Sequence, residues 1–181
     1  MKDPQLKSVR SEEAALPELS SRFCDTPLGP VRLAEDQRGI ISLKFVGSVP
    51  ESAPAGRAGI YLPDAERQLL EYFAGKRTTF DIPLSVRGSE FQQRVWRALL
   101  TIPYGETRSY QQIARQTGNE KAARAVGMAN SRNPIWILIP CHRVVGKDGK
   151  PVGYAGGIWR KERLLALERE HCGPGEDGGS L

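Results

Sequence analysis

Apolar and polar residues alternate in three short stretches near the start of the chain, and this period of two predicts β-strands. The stretches are Arg22-Phe23-Cys24, Val31-Arg32-Leu33-Ala34 and Ile40 to Val46. Proline and glycine in Thr26–Pro30 predict a turn between the first two strands. Residues 47–60, which are rich in Gly, Ala, Ser and Pro, predict a loop. These strands open a small α+β unit.

One helix and one further strand complete this unit. Asp64 is expected to cap the helix and Gly75 to end it. The apolar side of the helix consists of Leu69, Leu70, Tyr72 and Phe73. Thr78–Ile82 has the composition of a strand. Residues 1–20 combine charges with few large apolar groups, so we expect them not to pack.

In the second half, apolar residues recur every three or four positions, which predicts helices. A capping box at Ser89–Gln92 begins the first helix, and Pro103-Tyr104-Gly105 breaks it. A second capping box at Ser109–Gln112 begins a short helix, and a third helix spans Lys121–Asn130. Two short helices joined at Gly118-Asn119 are typical of a helix-turn-helix. Tight packing against a neighbouring helix explains the same pattern.

The end of the chain adds a buried strand and a last helix. The continuous apolar run Ile135–Leu138 predicts the strand, and the helix is predicted from Trp159 to Glu170. The fold class is therefore α+β, with a small N-terminal α/β domain and a helical C-terminal domain. The predicted segments are a disordered start (1–20), an N-terminal α+β domain (21–88), a C-terminal domain (89–171) and a flexible tail (172–181).

The positive charge of the chain lies in its second half. Residues 1–88 carry 12 Lys/Arg and 12 Asp/Glu, whereas residues 89–170 carry 14 and 7, within a total net charge of +5. A basic half beside a neutral half suggests that one face meets a polyanion such as nucleic acid. A general charge excess that favours solubility explains the same numbers.

Cysteine and histidine are scarce and scattered. The odd set Cys24, Cys141 and Cys172 argues against a disulfide framework and for a reducing compartment. With two histidines and no C-x-x-C pair, a zinc site is not expected, although His171 beside Cys172 leaves a weak alternative. No apolar run reaches the roughly 18 residues of a membrane span, and the N-terminus has no apolar signal region. We expect a cytoplasmic protein without metal or cofactor.

Cys141 and His142 stand side by side after the apolar run, with Arg143 next to them. A neighbouring imidazole and cation favour a reactive thiolate. In a regular strand the two side chains would point to opposite faces, so the pair works only if the strand ends at Pro140 and the backbone turns at Cys141. A carboxylate must then orient the imidazole, and Glu168 on the last helix is the candidate. The alternatives are a buried structural cysteine and a solvated Glu168.

The motif around Cys141 is one of several that share a common order and spacing. They are Ser109-Tyr110-Gln111-Gln112, Ala123-Arg124-Ala125-Val126-Gly127, Asn133-Pro134, Pro140-Cys141-His142-Arg143-Val144, Tyr154-Ala155-Gly156-Gly157 and Lys161-Glu162-x-Leu164-Leu165. This set resembles the O6-alkylguanine-DNA alkyltransferases, also called methylated-DNA–protein-cysteine methyltransferases. The resemblance is dense from Phe91 to Glu168 and looser at Thr26–Gly29. It implies a ribonuclease H-like N-terminal domain and a winged helix-turn-helix-like C-terminal domain.

The resemblance implies direct reversal of DNA damage in a single turnover. The alkyl group on guanine O6, or on thymine O4, moves onto Cys141 and is not released again. The implied partner is double-stranded DNA that contains the alkylated guanine, bound through its minor groove by a monomer. A base inside a duplex cannot reach the thiol, so it must be flipped out of the stack. No cofactor is implied, and the zinc of some members is not expected because residues 1–88 contain one Cys and no His.

The resemblance also assigns roles to single residues. His142 relays a proton from Cys141 through a water, with Glu168 behind it. Tyr110 donates a hydrogen bond to the leaving base, and Asn133 braces the turn that carries the nucleophile. The implied substrate-binding residues are Val144, Tyr154, Ala155 and Gly156. The implied DNA-binding residues are Arg124, as an intercalating finger, and Lys121, Ala123, Ala125 and Gly127.

Three other functions compete with this interpretation. A papain-like cysteine hydrolase takes Cys and His from distant segments, and no oxyanion-type glycine pattern precedes Cys141. An alkyltransferase-like binding module flips lesions without repairing them, but such proteins lack the cysteine. A plain DNA-binding regulator leaves the Cys141–His142 pair unexplained. Trp136 and Met128 are bulkier than the residues of some members, which leaves the accepted alkyl size open.

Overall fold

The structure, a computed structural model, describes residues 6–8, 20–51 and 59–172. Five strands form one sheet in the order β1-β5-β4-β3-β2. They are β1 Leu6–Ser8, β2 Ser20–Cys24, β3 Val31–Asp36, β4 Gly39–Phe45 and β5 Leu84–Val86. Strands β2, β3 and β4 pair antiparallel, whereas β5 runs parallel to β1 and β4. The three strands predicted from alternating residues are thereby confirmed.

Two predictions for this half are wrong. Leu6–Ser8 were expected not to pack, but their backbone pairs with β5 at the edge of the sheet. Thr78–Ile82 form no strand. The side chains of Phe80 and Ile82 are buried, but the backbone that carries them is irregular, and strand pairing begins only at β5. Residues 52–58 of the predicted loop (47–60), residues 173–181 of the predicted tail (172–181) and the remaining residues before Ser20 lie outside the described residues.

Helix α1 (Leu62–Phe73) packs its apolar side on the sheet. Tyr61 stands at its N-cap, and Asp64, the predicted cap, lies instead in the first turn. There the carboxylate meets the positive end of the helix dipole. Leu70 was expected to face inward but is 43% exposed. The side chains that α1 buries are Leu62, Ala65, Gln68, Leu69, Tyr72 and Phe73.

The second half contains four helices and one short pair of parallel strands. They are α2 Glu90–Leu100, β6 Arg108–Ser109, α3 Tyr110–Gln116, α4 Ala123–Ser131, β7 Val144–Val145 and α5 Ile158–His171. The capping boxes predicted at Ser89 and Ser109 are both confirmed. Helices α2, α3 and α4 pack against one another. They form the helical body of the second half.

The apolar run Ile135–Leu138 is buried but is not the regular strand that was predicted. It makes single-residue bridges instead of a ladder, and Ile137 has a φ of 70°. Leu43 of β4 ties the run to the first half. Its N–H donates to the carbonyl of Pro134 at 3.0 Å, and its carbonyl accepts from the N–H of Trp136 at 2.9 Å. The run therefore joins the two halves into one core just before Cys141.

Candidate active site

A single 3-10 turn carries the predicted nucleophile. Cys141–Arg143 form this turn directly after Pro140, which confirms that the backbone turns there. The N–H of Arg143 donates to the carbonyl of Pro140 at 3.0 Å. The side chains of Cys141 and His142 are both buried. The turn thus removes the constraint that would send neighbouring side chains to opposite faces of a strand.

The imidazole of His142 bonds to the carboxylate of Glu168. Nε2 lies 2.7 Å from Oε1, and both side chains are fully buried. An ionised carboxylate only accepts hydrogen bonds, so Nε2 carries the proton and Nδ1 of the neutral ring is an acceptor. Nδ1 bonds to no protein group among the described residues. Burial lowers the pKa of His142, although Glu168 opposes this shift. The neutral ring can therefore take up a proton at Nδ1.

Glu168 is fixed by several donors at once. Arg143 donates from Nε to Oε2 at 2.9 Å and from Nη2 to Oε1 at 3.0 Å. The hydroxyl of Tyr72 donates to Oε1 at 2.7 Å, and the N–H of Gly105 donates to Oε2 at 3.0 Å. Burial alone raises the pKa of Glu168, but His142 and Arg143 outweigh it and hold the pKa well below its usual range. Because the His142 ring is neutral, its contribution is a hydrogen bond, and the compensating charge comes from Arg143.

The thiol of Cys141 is protonated in the resting site. Burial raises its pKa to about 11, while the Asn133 side chain and the charge of Lys161 act in the opposite direction. Neighbouring groups were expected to favour the thiolate, and Asn133 and Lys161 do so, but desolvation of the sulfur outweighs them. The cation that favours the thiolate is Lys161, since Arg143 is bound to Glu168.

Lys161 received no role in the prediction, yet its ammonium group is buried beside the site. The carbonyl oxygens that accept hydrogen bonds from its Nζ belong to Val144, Val152 and Gly153, at 2.5, 2.7 and 3.2 Å. Burial lowers the pKa of Lys161 to about 8, and Cys141 opposes this shift. Lys161 precedes Glu168 by two helical turns on the inward face of α5. This spacing was the signal in the sequence that could have identified it.

A cavity of about 220 Å³ opens beside Cys141. Its lining residues are Tyr110, Gly127, Asn130, Ser131, Trp136, Cys141, Gly153, Tyr154 and Ala155. Among the predicted substrate-binding residues, Tyr154 and Ala155 lie in this lining. Val144 and Gly156 lie behind it: Val144 is fully buried, and Gly156 packs against the rings of Tyr154 and Trp136. Trp136, whose bulk was expected to bear on the accepted alkyl size, is thus a wall of the cavity.

Tyr110 begins α3 and points its hydroxyl across the cavity. Its Oη donates to the carbonyl of Val152 at 3.1 Å. The Nζ of Lys161 lies 6.0 Å from the centroid of the Tyr110 ring. Burial raises the pKa of Tyr110, and Cys141 adds to this shift. The hydroxyl therefore stays protonated and can donate a hydrogen bond to a bound group.

Asn133 holds both ends of the irregular run that leads to the nucleophile. Its Nδ2 donates to the carbonyl of Ile139 at 2.9 Å, and its Oδ1 accepts from the N–H of Ile135 at 3.0 Å. A hydrogen bond from its side chain also lowers the pKa of Cys141. The buried amide thus replaces the ladder hydrogen bonds that a neighbouring strand would supply.

Helix α4 and the 3-10 turn before it carry the predicted DNA-contacting residues next to the cavity. The exposed ones are Lys121, Arg124 and Ala125, and the partly buried ones are Ala123 and Gly127. The helix does not begin at Lys121, because Glu120–Ala122 form a separate 3-10 turn. Its inner side is fixed by Trp96 of α2, whose indole N–H donates to the carbonyl of Ala129 at 2.9 Å. The exposed side of α4 therefore presents cations and small side chains on a rigid support.

His171 and Cys172, the weak alternative for a metal site, bond to different groups. Nδ1 of His171 bonds to the carbonyl of Leu167 at 2.8 Å, and the thiol of Cys172 donates to the carbonyl of Tyr104 at 3.2 Å. Within 6–8, 20–51 and 59–172, His, Cys, Asp and Glu side chains form no group of three that could hold a metal ion.

Known proteins resemble both halves of the chain. Residues 19–86 match the 6-O-methylguanine DNA methyltransferase ribonuclease-like domain, and residues 90–170 match the DNA binding domain of the same family. The methylated-DNA–protein-cysteine methyltransferase of Mycolicibacterium paratuberculosis is 54% identical over 83% of this chain and 92% of its own length. That of Methanosarcina acetivorans is 49% identical over 80% and 94%. The crystal structure of Mycobacterium tuberculosis OGT in complex with DNA matches with a TM-score of 0.75 at 49% identity, covering 83% of this chain and 93% of that one.

Proposed function

The chain belongs to the 6-O-methylguanine DNA methyltransferase family, and from this premise we propose that it repairs DNA by moving an alkyl group from guanine O6 to Sγ of Cys141. Its activity is that of a methylated-DNA–protein-cysteine S-methyltransferase, and double-stranded DNA is its partner. The observation that supports Cys141 most directly is its position. Cys141 lines the cavity, and Nδ1 of the imidazole beside it bonds to no protein group in the part of the chain that the structure describes.

In the proposed reaction, an alkyl group and a proton exchange places. The sulfur of Cys141 gives its proton through a water to Nδ1 of His142 and attacks the alkyl carbon in line with the bond to O6. The electron pair of that bond moves onto the guanine, to which the hydroxyl of Tyr110 donates a hydrogen bond. Glu168 stabilises the imidazolium as it forms. The proton finally passes from His142 to the guanine, so the products are S-alkylcysteine and guanine.

Each molecule is expected to act once, because a thioether is not hydrolysed in water near neutral pH. The alkyl group therefore stays on the sulfur of Cys141 that accepted it. Thymine O4 offers the same bond between carbon and oxygen, so we include O4-alkylthymine as a second substrate. We propose that Asn133 keeps the run before Cys141 in place during the reaction. The backbone around Val144, Tyr154, Ala155 and Gly156 is proposed to hold the edge of the base.

Cys141 is buried beside the cavity, so the lesion must leave the stack to reach it, at a cost of roughly a few kcal/mol. We propose that Arg124 fills the vacated space, because a flat guanidinium can both stack and donate hydrogen bonds there. The small side chains of α4 would let its backbone approach the minor groove, where base pairs look alike. These residues are Ala123, Ala125 and Gly127, with Lys121 beside them for the phosphates. Recognition would then be independent of the surrounding sequence.

We infer that the protein acts in the cytoplasm and as a monomer. In the described ranges, no helix combines the length and apolar character that crossing a membrane requires. The three cysteines are free thiols, which suits a reducing compartment. One chain supplies the thiol, its base and the DNA-contacting helix, so the proposed reaction needs no second copy.

Peptide mass mapping tests the proposal directly. After mixing with a duplex that contains O6-methylguanine, we expect one added methylene on the Cys141 peptide and none on the peptides of Cys24 and Cys172. Cys141→Ala should abolish transfer, whereas Cys172→Ser, which removes an exposed thiol, should leave it intact. An unmodified Cys141 together with persisting lesions would exclude this function.

A further inference from the structure

One arginine of α5 bonds to both halves of the protein. The Nε of Arg160 donates to the carbonyl of Leu28 at 2.9 Å, and its Nη1 donates to the carbonyl of Gly156 at 2.8 Å. Leu28 lies in the turn between β2 and β3, whereas Gly156 lies in the loop that borders the cavity. A single planar group thus fixes the distance between the N-terminal sheet and this loop.

The same guanidinium lies on two aromatic rings. Its Cζ is 4.5 Å from the ring centroid of Phe45, at the end of β4, and 4.5 Å from that of Trp159. A cation in this position is attracted by the ring faces, more strongly where water is excluded. Arg160 is partly buried, so these contacts and its two hydrogen bonds hold it in one place.

The rings under Arg160 continue to the wall of the cavity. The centroids of Phe45 and Trp136 are 6.0 Å apart, and those of Trp136 and Tyr154 are 5.8 Å apart. Trp136 and Tyr154 both line the cavity beside Cys141. Gly156 packs closely among the rings of Phe45, Trp136 and Tyr154. A Cβ at this position would lie only 2.8 Å from Tyr154 and 3.1 Å from Trp136. The wall therefore cannot recede unless the groups behind it move.

We propose that Arg160 and Phe45 form a clamp that sets the size of the alkyl group accepted at Cys141. The inference rests on the proposed function and deepens it. Neither residue lines the cavity, so both act as positioning residues through Trp136 and Tyr154. While the clamp is in place, the two rings stay pressed towards the thiol and the site favours a small alkyl group. Without it the rings can move outwards, and a larger group gains room.

The test compares two substrates in single-turnover transfer: duplexes with O6-methylguanine and with O6-benzylguanine. In Arg160→Ala, the ratio of the benzyl rate to the methyl rate should rise about three- to tenfold, the scale of losing a partly desolvated cation–π contact. Arg160→Lys keeps the charge without the planar fork, so an intermediate ratio is expected. Arg163→Ala, an exposed cation on the same helix, is the matched control and should leave the ratio unchanged.

An unchanged ratio in Arg160→Ala, or an equal rise in Arg163→Ala, would overturn the clamp. Should Arg160→Ala fail to fold, Phe45→Leu provides the second variant, because it removes the ring and keeps apolar volume. It should raise the same ratio, and a ratio equal to that of the wild type would refute the inference. A wild-type protein that transfers neither group to Cys141 would instead overturn the proposed function, and the clamp with it.

Discussion

At the scale of single residues, a buried protonated thiol must react as a thiolate. With a pKa of about 11, only about one Cys141 thiol in ten thousand would be ionised at neutral pH on its own. His142 compensates for this, because burial keeps its ring neutral and Glu168 holds Nε2, which leaves Nδ1 to accept the proton. Loss of the proton is thus coupled to attack on the alkyl group, and the sulfur of Cys141 is buried and protonated until then.

The pH dependence of transfer follows from these two groups and from Lys161. The pKa of His142 lies below its ordinary value of 6.5, so the wild-type rate should be level around pH 7 and should fall under about 6.5, as the ring gains a proton and Nδ1 stops accepting. Above about pH 8 the rate should decline, because Lys161, whose pKa is about 8, loses the charge that favours the thiolate. In His142→Gln the rate near pH 7 should drop about 10²- to 10⁴-fold. It should then rise about tenfold per pH unit up to about pH 8, because free thiolate must form.

Single-turnover rates across this pH range, at constant ionic strength, check both profiles. The variant serves as the internal comparison, because it keeps Cys141 and removes only the acceptor. If the wild-type rate itself climbed tenfold per unit between about pH 7 and 9, the thiol would be ionising without help, and His142 would not be the base.

At the scale of elements, α4 helps the protein to reach the lesion but takes no direct part in the alkyl transfer. Arg124 is exposed on its first turn and does not line the cavity. Arg124→Ala should therefore slow repair of a duplex about five- to hundredfold, the effect of losing a stacking contact of about 1–3 kcal/mol. Reaction with free O6-methylguanine base should change little, since that substrate needs no flipping. Rates on both substrates, measured by methyl transfer to Cys141, give the comparison.

The variant Arg124→Lys distinguishes a stacking role of the Arg124 side chain from a purely electrostatic role. Lysine keeps the positive charge but lacks the flat group that can occupy a gap in the base stack. We expect it to repair duplexes nearly as slowly as Arg124→Ala. Full recovery with lysine would reassign Arg124 to a phosphate contact, and equal losses on duplex and free base would contradict a role in flipping.

The helices were predictable from sequence because their signals are local: a capping box and an apolar period lie within one segment. Ile135–Leu138 was misread because a strand needs a partner that the run does not specify. The N–H of Ile135 donates instead to the Asn133 side chain, and that of Trp136 donates to the carbonyl of Leu43, far away in the chain. Composition alone cannot tell a buried irregular run from a buried strand.

The residues of the site were also predictable only in part from the sequence. Cys141, His142 and Glu168 stood out through residue type, through the turn after Pro140 and through a polar position on the inward face of α5. Lys161 did not, because a buried ammonium is tolerated only where separate segments supply its acceptors, here the three loop carbonyls. The raised pKa of the Cys141 thiol was not foreseen for a related reason. The sequence shows the cation next to the cysteine, whereas it does not show how deeply the sulfur is buried.

At the scale of the whole molecule, the two halves have different tasks. The N-terminal half is neutral and supports the site from behind, through Tyr72 on Glu168 and Phe45 on Trp136. The C-terminal half holds the surplus of cations together with the cavity and α4. Several of its arginines are paired at the surface, for example Arg115 with Glu120, so the DNA-facing charge is concentrated in fewer groups than the count suggests.

Salt dependence measures which of these cations meet phosphates. Each phosphate neutralised by Lys or Arg contributes about −0.9 to the slope of log affinity against log salt concentration. Lys121→Gln and Arg132→Gln remove exposed cations at the two ends of α4, so each should make the slope less steep by about one and weaken binding to any duplex. Lys44→Gln, an exposed lysine of β4 in the neutral half, should alter neither. Anisotropy titrations of an undamaged duplex at several salt concentrations give the slopes. An equal change in Lys44→Gln would mean that DNA lies across both halves, and unchanged slopes at Lys121 and Arg132 would remove the phosphate contacts from α4.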